Sequence, residues 1–216
     1  MSKIKNVEIY GLNESMIASG YPMRTESINM VEELHNLKNS EFNNKTIKRA
    51  KNLSSCDSSE GHDNFLIGIV VQFDLTLSLK AWPEAQRYHF LDFVSSRSTM
   101  HKIMKMDIKK CCNIYVTNKA IENLNEQIEN YNKWQNDKTK ECNPTRWKKV
   151  NEELFFYVIY NIPTGLELEA RMTTNYRQLK TIYKQRRNHR LVHDWGVVCD
   201  WIETLPYFNE LIKPSK

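Results

Sequence analysis

The chain has 216 residues, 40% of them hydrophobic and 26% charged, with a formal net charge of +5; this fits one soluble globular domain with a core of its own. No apolar run approaches the length of a membrane span, and the opening "MSKIKNVEIYGL" has neither the apolar stretch nor the cleavage site of a secretory leader, so the expected compartment is the cytoplasm. Five scattered cysteines, Cys56, Cys111, Cys112, Cys142 and Cys199, make no metal-binding knuckle, and a reducing compartment would keep them as thiols.

In chain order, "VEIYGL" (Val7 to Leu12) predicts a short opening strand. Ile28, Val31, Leu34 and Leu37, spaced three apart, predict a helix over Glu26 to Leu37. The polar stretch that follows predicts a short helix, Lys45 to Leu53, and then a Ser-rich loop suited to a ligand. "FLIGIVVQFDLTL" (Phe65 to Leu77) predicts the strongest strand, with Gly68 marking a bulge or a close backbone approach. "AWPEAQRYHFLDFV" predicts a helix with Pro83 in its first turn.

Ile121, Leu124, Ile128 and Tyr131 share one side of a predicted helix over Asn118 to Trp134, and "NDKTKECNPTRW" predicts a turn-rich link. "NEELFFYVIYNIP" fits a buried helix or a strand equally, because periodicity does not separate them. "LELEARMTT" alternates Leu166, Leu168, Ala170 and Met172 with charged residues, the mark of a half-buried strand. Trp195, Val198, Ile202 and Leu205 form a helical stripe that reads as core or subunit interface. Alternating strands and helices predict an α/β (α+β) single domain spanning 1–216, with a central mixed sheet flanked by helices and a helical insertion at roughly 117–150.

The stretch "TTNYRQLKTIYKQRRNHRL" (Thr173 to Leu191) carries the chemistry. Thr173 or Thr174 can cap a helix that starts near Asn175. Tyr176, Leu179, Tyr183 and Arg186 then fall on one face, so an arginine follows the apolar stripe. A guanidinium withdrawn from water costs several kcal/mol unless it is paired. Its partner can be an internal carboxylate, water reached by snorkelling, or a ligand phosphate. At the other end, Asn175 and Arg177 occupy a first turn, where backbone N–H groups collect anions. The two features are roughly nine residues apart, about 14 Å at the helical rise.

"IPTGLELEARMTTNYRQLKTIYKQR" resembles the late segment of the flavin-dependent thymidylate synthases, in which a strand leads into an N-x-R-x-L helix start with a further Arg near the helix end. Pro163, Thr174, Asn175, Arg177, Leu179 and Arg186 fill those places. Upstream, Gly61-His62 precedes a strand and "RYH" (Arg87, Tyr88, His89) follows it, in the order of the family's GH pair, strand and RHR. Where the family reads RHRxxS, this chain reads "RYHFLD". The family's later serine and arginine have their nearest counterparts in "SSRST", as Ser96 and Arg97.

The resemblance implies a divergent, phage-type member of that family. It implies FAD as cofactor, lined by His62, Asn64, Arg87, His89, Asn175 and Arg177. It implies a pyrimidine nucleotide, dUMP, with its phosphate held by Arg186 and helped by Ser96 or Arg97, and a carbon transfer that needs no cysteine nucleophile. NADPH and methylenetetrahydrofolate would be co-substrates and the product dTMP or a related C5-modified nucleotide. It further implies a homotetramer with sites built between subunits. A contrasting expectation comes from the basic cluster Lys180, Lys184, Arg186, Arg187, His189, Arg190 and His193: a non-catalytic protein that keeps the fold and binds nucleotide or nucleic acid.

Overall fold

The computed structural model describes residues 3–37, 42–136 and 143–213. Four strands form one sheet in the order β1 (Ile4–Tyr10), β2 (Val70–Ser78), β4 (Glu167–Asn175), β3 (Asp92–Ser96). Strands β1 and β2 are antiparallel, with Ile4 opposite Leu75 and Tyr10 opposite Val70 and a register shift between Lys5 and Glu8. Asn6 sits in that irregularity at φ 49°, one of the few residue types that tolerate this conformation. Helices surround the strands in sequence, so the α/β class expected from the pattern is the class observed.

The chain divides into two compact units. The first comprises 1–75, 85–94 and 171–216. It holds α1 (Leu12–Ala18), α2 (Met30–Leu37), α3 (Asn44–Ser55), α9 (Tyr176–Arg186) and α10 (Val197–Ile202). Its core contains Met16, Phe73, Met172, Tyr176, Leu179 and Trp195, all essentially without solvent contact. The stripe Trp195, Val198, Ile202 and Leu205 is buried, as a core stripe should be. The alternation in β4 is also as expected, with Ala170 and Met172 inside.

The second unit comprises 76–84 and 95–170. After the short α5 (Thr99–Lys102) and α6 (Ile108–Cys111), two long helices dominate it, α7 (Asn118–Gln135) and α8 (Pro144–Tyr160). Thr117 caps the first by accepting from the Ala120 N–H, and Asn143 caps the second through the Arg146 N–H, with Pro144 at its first position. Ile121, Leu124 and Ile128 face inward with Ile103, Ile108, Val158 and Leu166. The ambiguous run "FFYVIY" is therefore helical; it buries Val158 and leaves Phe156, Tyr157 and Tyr160 exposed. Between these helices, residues 137–142 of the turn-rich link, Cys142 among them, lie outside the described residues.

Several sequence expectations need correcting. The strand expected from Phe65 starts at Val70, because Asn64–Gly68 is a 3₁₀ segment. Gly68 marks a close approach: a methyl group there would lie 2.5 Å from Ser15 Oγ, and one on Gly11 would lie 2.4 Å from the Gly68 carbonyl oxygen. The helix expected across "AWPEAQRYHFLDFV" is one turn, α4 (Trp82–Ala85). Turns follow, closed by Tyr88 N–H to Ala85 O and Leu91 N–H to Tyr88 O, and then β3 begins. Aromatic and β-branched Phe93 and Val94 suit a strand, and Thr174 Oγ1 donates to the Phe90 carbonyl at 2.6 Å, tying the turn to β4. Arg87 and His89 consequently lie in a turn, not on a helix. In α2 the predicted stripe is not a core face, since Val31 is 77% exposed. The cap of α9 is neither threonine: Asn175 Oδ1 accepts from the Gln178 N–H at 2.9 Å.

Candidate functional site

Helix α9 organises the site within the first unit. Tyr176, Leu179 and Tyr183 are buried along one face, and Arg186 follows them, half-buried. Its Nε donates to the Tyr88 hydroxyl at 2.7 Å. That hydroxyl donates in turn to Gln185 Oε1 at 3.0 Å. The guanidinium carbon lies 4.7 Å from the Trp195 ring centroid and 5.5 Å from that of Tyr88, and the two rings meet edge to face at 6.0 Å. Aromatic faces attract such a cation by about 0.5–2 kcal/mol. Tyr88 and Trp195 thus flank the inward-turned arginine.

The opposite side of α9 carries Arg177, Lys180, Thr181 and Lys184 at helical spacing. Asp63 answers two of them. Its side chain has no solvent exposure; Arg177 Nε lies 3.0 Å from Oδ1 and Lys180 Nζ 2.8 Å from Oδ2. The Arg177 contact is a close ion pair rather than an aligned hydrogen bond, since Oδ1 meets no hydrogen-bond geometry. Lys180 also donates to the Ser54 carbonyl at 2.6 Å, at the C-terminal end of α3. A buried carboxylate that faces two cations is held far better than one left alone.

Beside this face lies a cavity of about 780 Å³, within the usual range for small-molecule sites. Lys180, Lys184 and Lys213 are among its lining residues, as is Asp57. Hydrogen bonds from Ser59, with Lys184 and Lys180 nearby, hold the Asp57 carboxyl below its ordinary range. Tyr183 closes the cavity from the core side, its hydroxyl donating to Glu203 Oε1 at 2.7 Å. Burial, and then that hydrogen bond, push its phenol up to about 12.

The remaining expected residues fall as follows. Asn175 is nearly buried and spends its side-chain oxygen on the helix cap. His62 and Asn64 are exposed on the loop that bears the anchored Asp63, next to Gly61 at φ 75°. Arg87 and His89 are exposed and flank Tyr88, the residue that reaches Arg186. Ser96 and Arg97 belong to the second unit, exposed, with the Arg97 N–H donating to the Glu169 carbonyl at 3.0 Å. Asp63, Tyr88, Lys180 and Trp195 were not singled out from the sequence as site residues. Arg177 and Lys180, three apart on one helix face, were the available signal for Asp63: a cationic pair there wants a counterion. Cys199 is buried and its thiol is pushed up to about 11 by that burial, which disfavours a thiolate nucleophile.

No family model and no curated protein sequence matches the chain. Among solved structures, flavin-dependent thymidylate synthase ThyX from Helicobacter pylori, complexed with FAD and dUMP, superposes with a TM-score of 0.63 at 12% identity, covering 97% of this chain and 98% of that one. A second Helicobacter pylori ThyX structure with FAD and dUMP gives 0.64 over the same shares. The fold is that of the flavin-dependent thymidylate synthases. At this identity the ThyX likeness is a likeness of backbone, and what the chain does with the ThyX fold has to be argued from its own side chains.

Proposed function

We propose that the chain is a flavin-dependent enzyme that transfers a one-carbon unit to C5 of a pyrimidine nucleotide, dUMP or a close relative. The observation that carries this reading is Arg186, a half-buried guanidinium on an N-x-R helix, set against Tyr88 and Trp195 in a fold shared with FAD- and dUMP-bound ThyX. FAD fits the residues present. The cavity beside α9 offers Lys184 and Lys213 to a diphosphate and has the volume for part of a dinucleotide. Asn175, Arg177, His62, Asn64, Arg87 and His89 are the proposed flavin-lining set.

The flavin, when bound and reduced, would carry the one-carbon unit from methylenetetrahydrofolate and the hydride, with NADPH as reductant. The chain's own work is binding and orientation. Arg186 would hold the nucleotide phosphate. Asp63 keeps Arg177 and Lys180 extended along α9, and Asn175 secures the helix start. A homotetramer, a cytoplasmic setting and a single domain with a helical insertion at roughly 117–150 belong to the same proposal. Among the described residues, no helix is long and apolar enough to cross a membrane.

The alternative, a non-catalytic nucleotide or nucleic-acid binding protein, draws on the basic cluster. Part of that cluster is neutralised: Arg187 pairs with Asp200 at 2.7 Å and with Glu203 at 3.1 Å, and Lys180 with Asp63. The enzyme reading is tested by a visible absorption spectrum of the purified protein after incubation with FAD, repeated with dUMP. A flavin band that dUMP perturbs is expected. Protein that stays colourless after FAD would refute the reading.

A further inference from the structure

The cavity beside α9 has two chemically different stretches of wall. One is the C-terminal end of α3 with the turn after it, which contributes Ser54 and Asp57. Helix carbonyls at such an end carry partial negative charge, and Asp57 adds a carboxylate. Ser59 fixes that carboxylate through Oδ1, donating from its N–H at 2.9 Å and from its hydroxyl at 2.8 Å, so Oδ2 remains an acceptor for another group. Ser54 is fully buried; its carbonyl accepts from Lys180, and its hydroxyl meets no hydrogen-bond partner among the described residues. Buried hydroxyls are rarely left so, and one on a cavity wall can be completed by an occupant. The other stretch is cationic. Lys184 comes from α9, and Lys213 follows the π-helical turn Phe208–Ile212 with its Nζ 5.8 Å from the Tyr183 ring centroid.

We propose that this cavity binds the sugar–phosphate part of the flavin nucleotide, with sugar hydroxyls on Ser54 and Asp57 and phosphate on Lys184 and Lys213. This inference rests on the reading of the chain as an FAD-binding protein. The two stretches make opposite demands, and a bare phosphate or a bare sugar meets only one of them. Hydroxyl groups donate to a carboxylate and exchange hydrogen bonds with a serine. A phosphate is repelled by the first stretch and attracted by the ammonium groups of the second. A sugar joined to a phosphate carries both kinds of group. FAD offers this unit twice, as the ribityl phosphate and as the ribose phosphate of its adenosine half, whereas FMN has only the first.

The test measures FAD and FMN affinity by isothermal titration in the wild type and in Ser54→Ala, Asp57→Asn and Lys213→Met. Ser54→Ala and Asp57→Asn are each expected to weaken FAD by about threefold to tenfold, and Lys213→Met by about tenfold, the scale of a hydrogen bond to a charged group. Ser54→Ala removes a hydroxyl that no protein group satisfies, so its melting temperature without FAD should not fall. Loss of FMN affinity alongside FAD assigns the cavity to the ribityl phosphate; unchanged FMN affinity assigns it to the adenosine ribose phosphate. Unaltered FAD affinity in Ser54→Ala and Lys213→Met would overturn the proposal and leave the enzyme reading standing. Tighter FAD binding by Asp57→Asn would also overturn it, because the carboxylate would then only repel the phosphates. So would a Ser54→Ala protein that loses FAD affinity and melting temperature together, which marks a structural role. If the wild type takes up no FAD, the enzyme reading itself falls and this inference with it; that outcome is recognisable because the wild type, not a variant, is then silent.

Discussion

Lys180 Nζ stands 2.8 Å from Asp63 Oδ2, and the carboxylate it meets is wholly removed from solvent. The pair joins residues 117 positions apart in the chain. It fastens the loop that carries Gly61 and His62 to the middle of α9, and Arg177 strengthens the same fastening one turn earlier.

Removing that carboxylate leaves two cations facing an unfilled buried position. Asp63→Ala should therefore destabilise the protein by about 3–5 kcal/mol, the usual cost of breaking a buried pair from one side. Urea denaturation measures it directly. A loss below about 1 kcal/mol would mean that the pair behaves like a surface salt bridge. Arg187→Ala is the contrast: its partners Asp200 and Glu203 are largely exposed, and the change should stay within about 1 kcal/mol.

Arg186→Lys keeps the charge and discards the planar fork. The lysine ammonium has no counterpart to Nε placed against the Tyr88 hydroxyl. On the proposed function, dUMP should bind about tenfold or more weakly to this variant, because the two side chains are not interchangeable at a site built on a guanidinium. Isothermal titration with the FAD-loaded protein checks it. Affinity equal to wild type would mean that the phosphate is held elsewhere.

The Tyr183 phenol ionises at about 12 in the folded protein, against 10.0 ordinarily, because burial and Glu203 disfavour the phenolate. The folded pKa lies above the unfolded one, so this contribution to stability is complete below pH 10 and is lost as pH rises from about 10 to 12. Tyr183→Phe should flatten the decline of stability across that window and leave its shape near neutral pH unchanged. Chemical denaturation at several pH values compares the two proteins. Parallel decline in both would show that the phenol does not take part.

The Gly11–Gly68 crossing predicts a ranked pair of substitutions. Gly11→Ala meets a backbone carbonyl at 2.4 Å and holds φ at +71°, so both strain and overlap oppose it. It should cost about 3 kcal/mol or more. Gly68→Ala meets Ser15 Oγ, the end of a small side chain that can rotate, and should cost about 1 kcal/mol. Thermal denaturation of the two variants gives the order. A more harmful Gly68→Ala would contradict this account of the crossing.

Much of the fold was legible because the dominant signals are local. Helix α7 announces itself by Ile121, Leu124 and Ile128, and β4 by its alternation; in each the buried set matches the period. The segment "AWPEAQRYHFLDFV" departs from the helix expected there, because Pro83 in a first turn is a true helix-start signal for only one turn. The turn there is set by long-range contacts, Thr174 to the Phe90 carbonyl and Arg186 to the Tyr88 hydroxyl, which leave no local trace. The site shows the same division. Arg186 stood out because a cation in line with an apolar stripe conflicts with the pattern. Tyr88 and Trp195 blended into that pattern as ordinary hydrophobic residues, and Asp63 was one acid in a polar loop. Sequence shows which group needs a partner; only the assembled chain names it.

The anchoring of Asp63 also decides where this protein can tolerate change in length. Around Ser59 and Glu60, both exposed, an added residue is expected to leave the Asp63 socket in place. Inside Gly61–Asn64 the same addition would drag an acid out of a socket shared by two bases on a distant helix. His62, though open to solvent, is thus next to a residue fixed to that helix by two ion pairs.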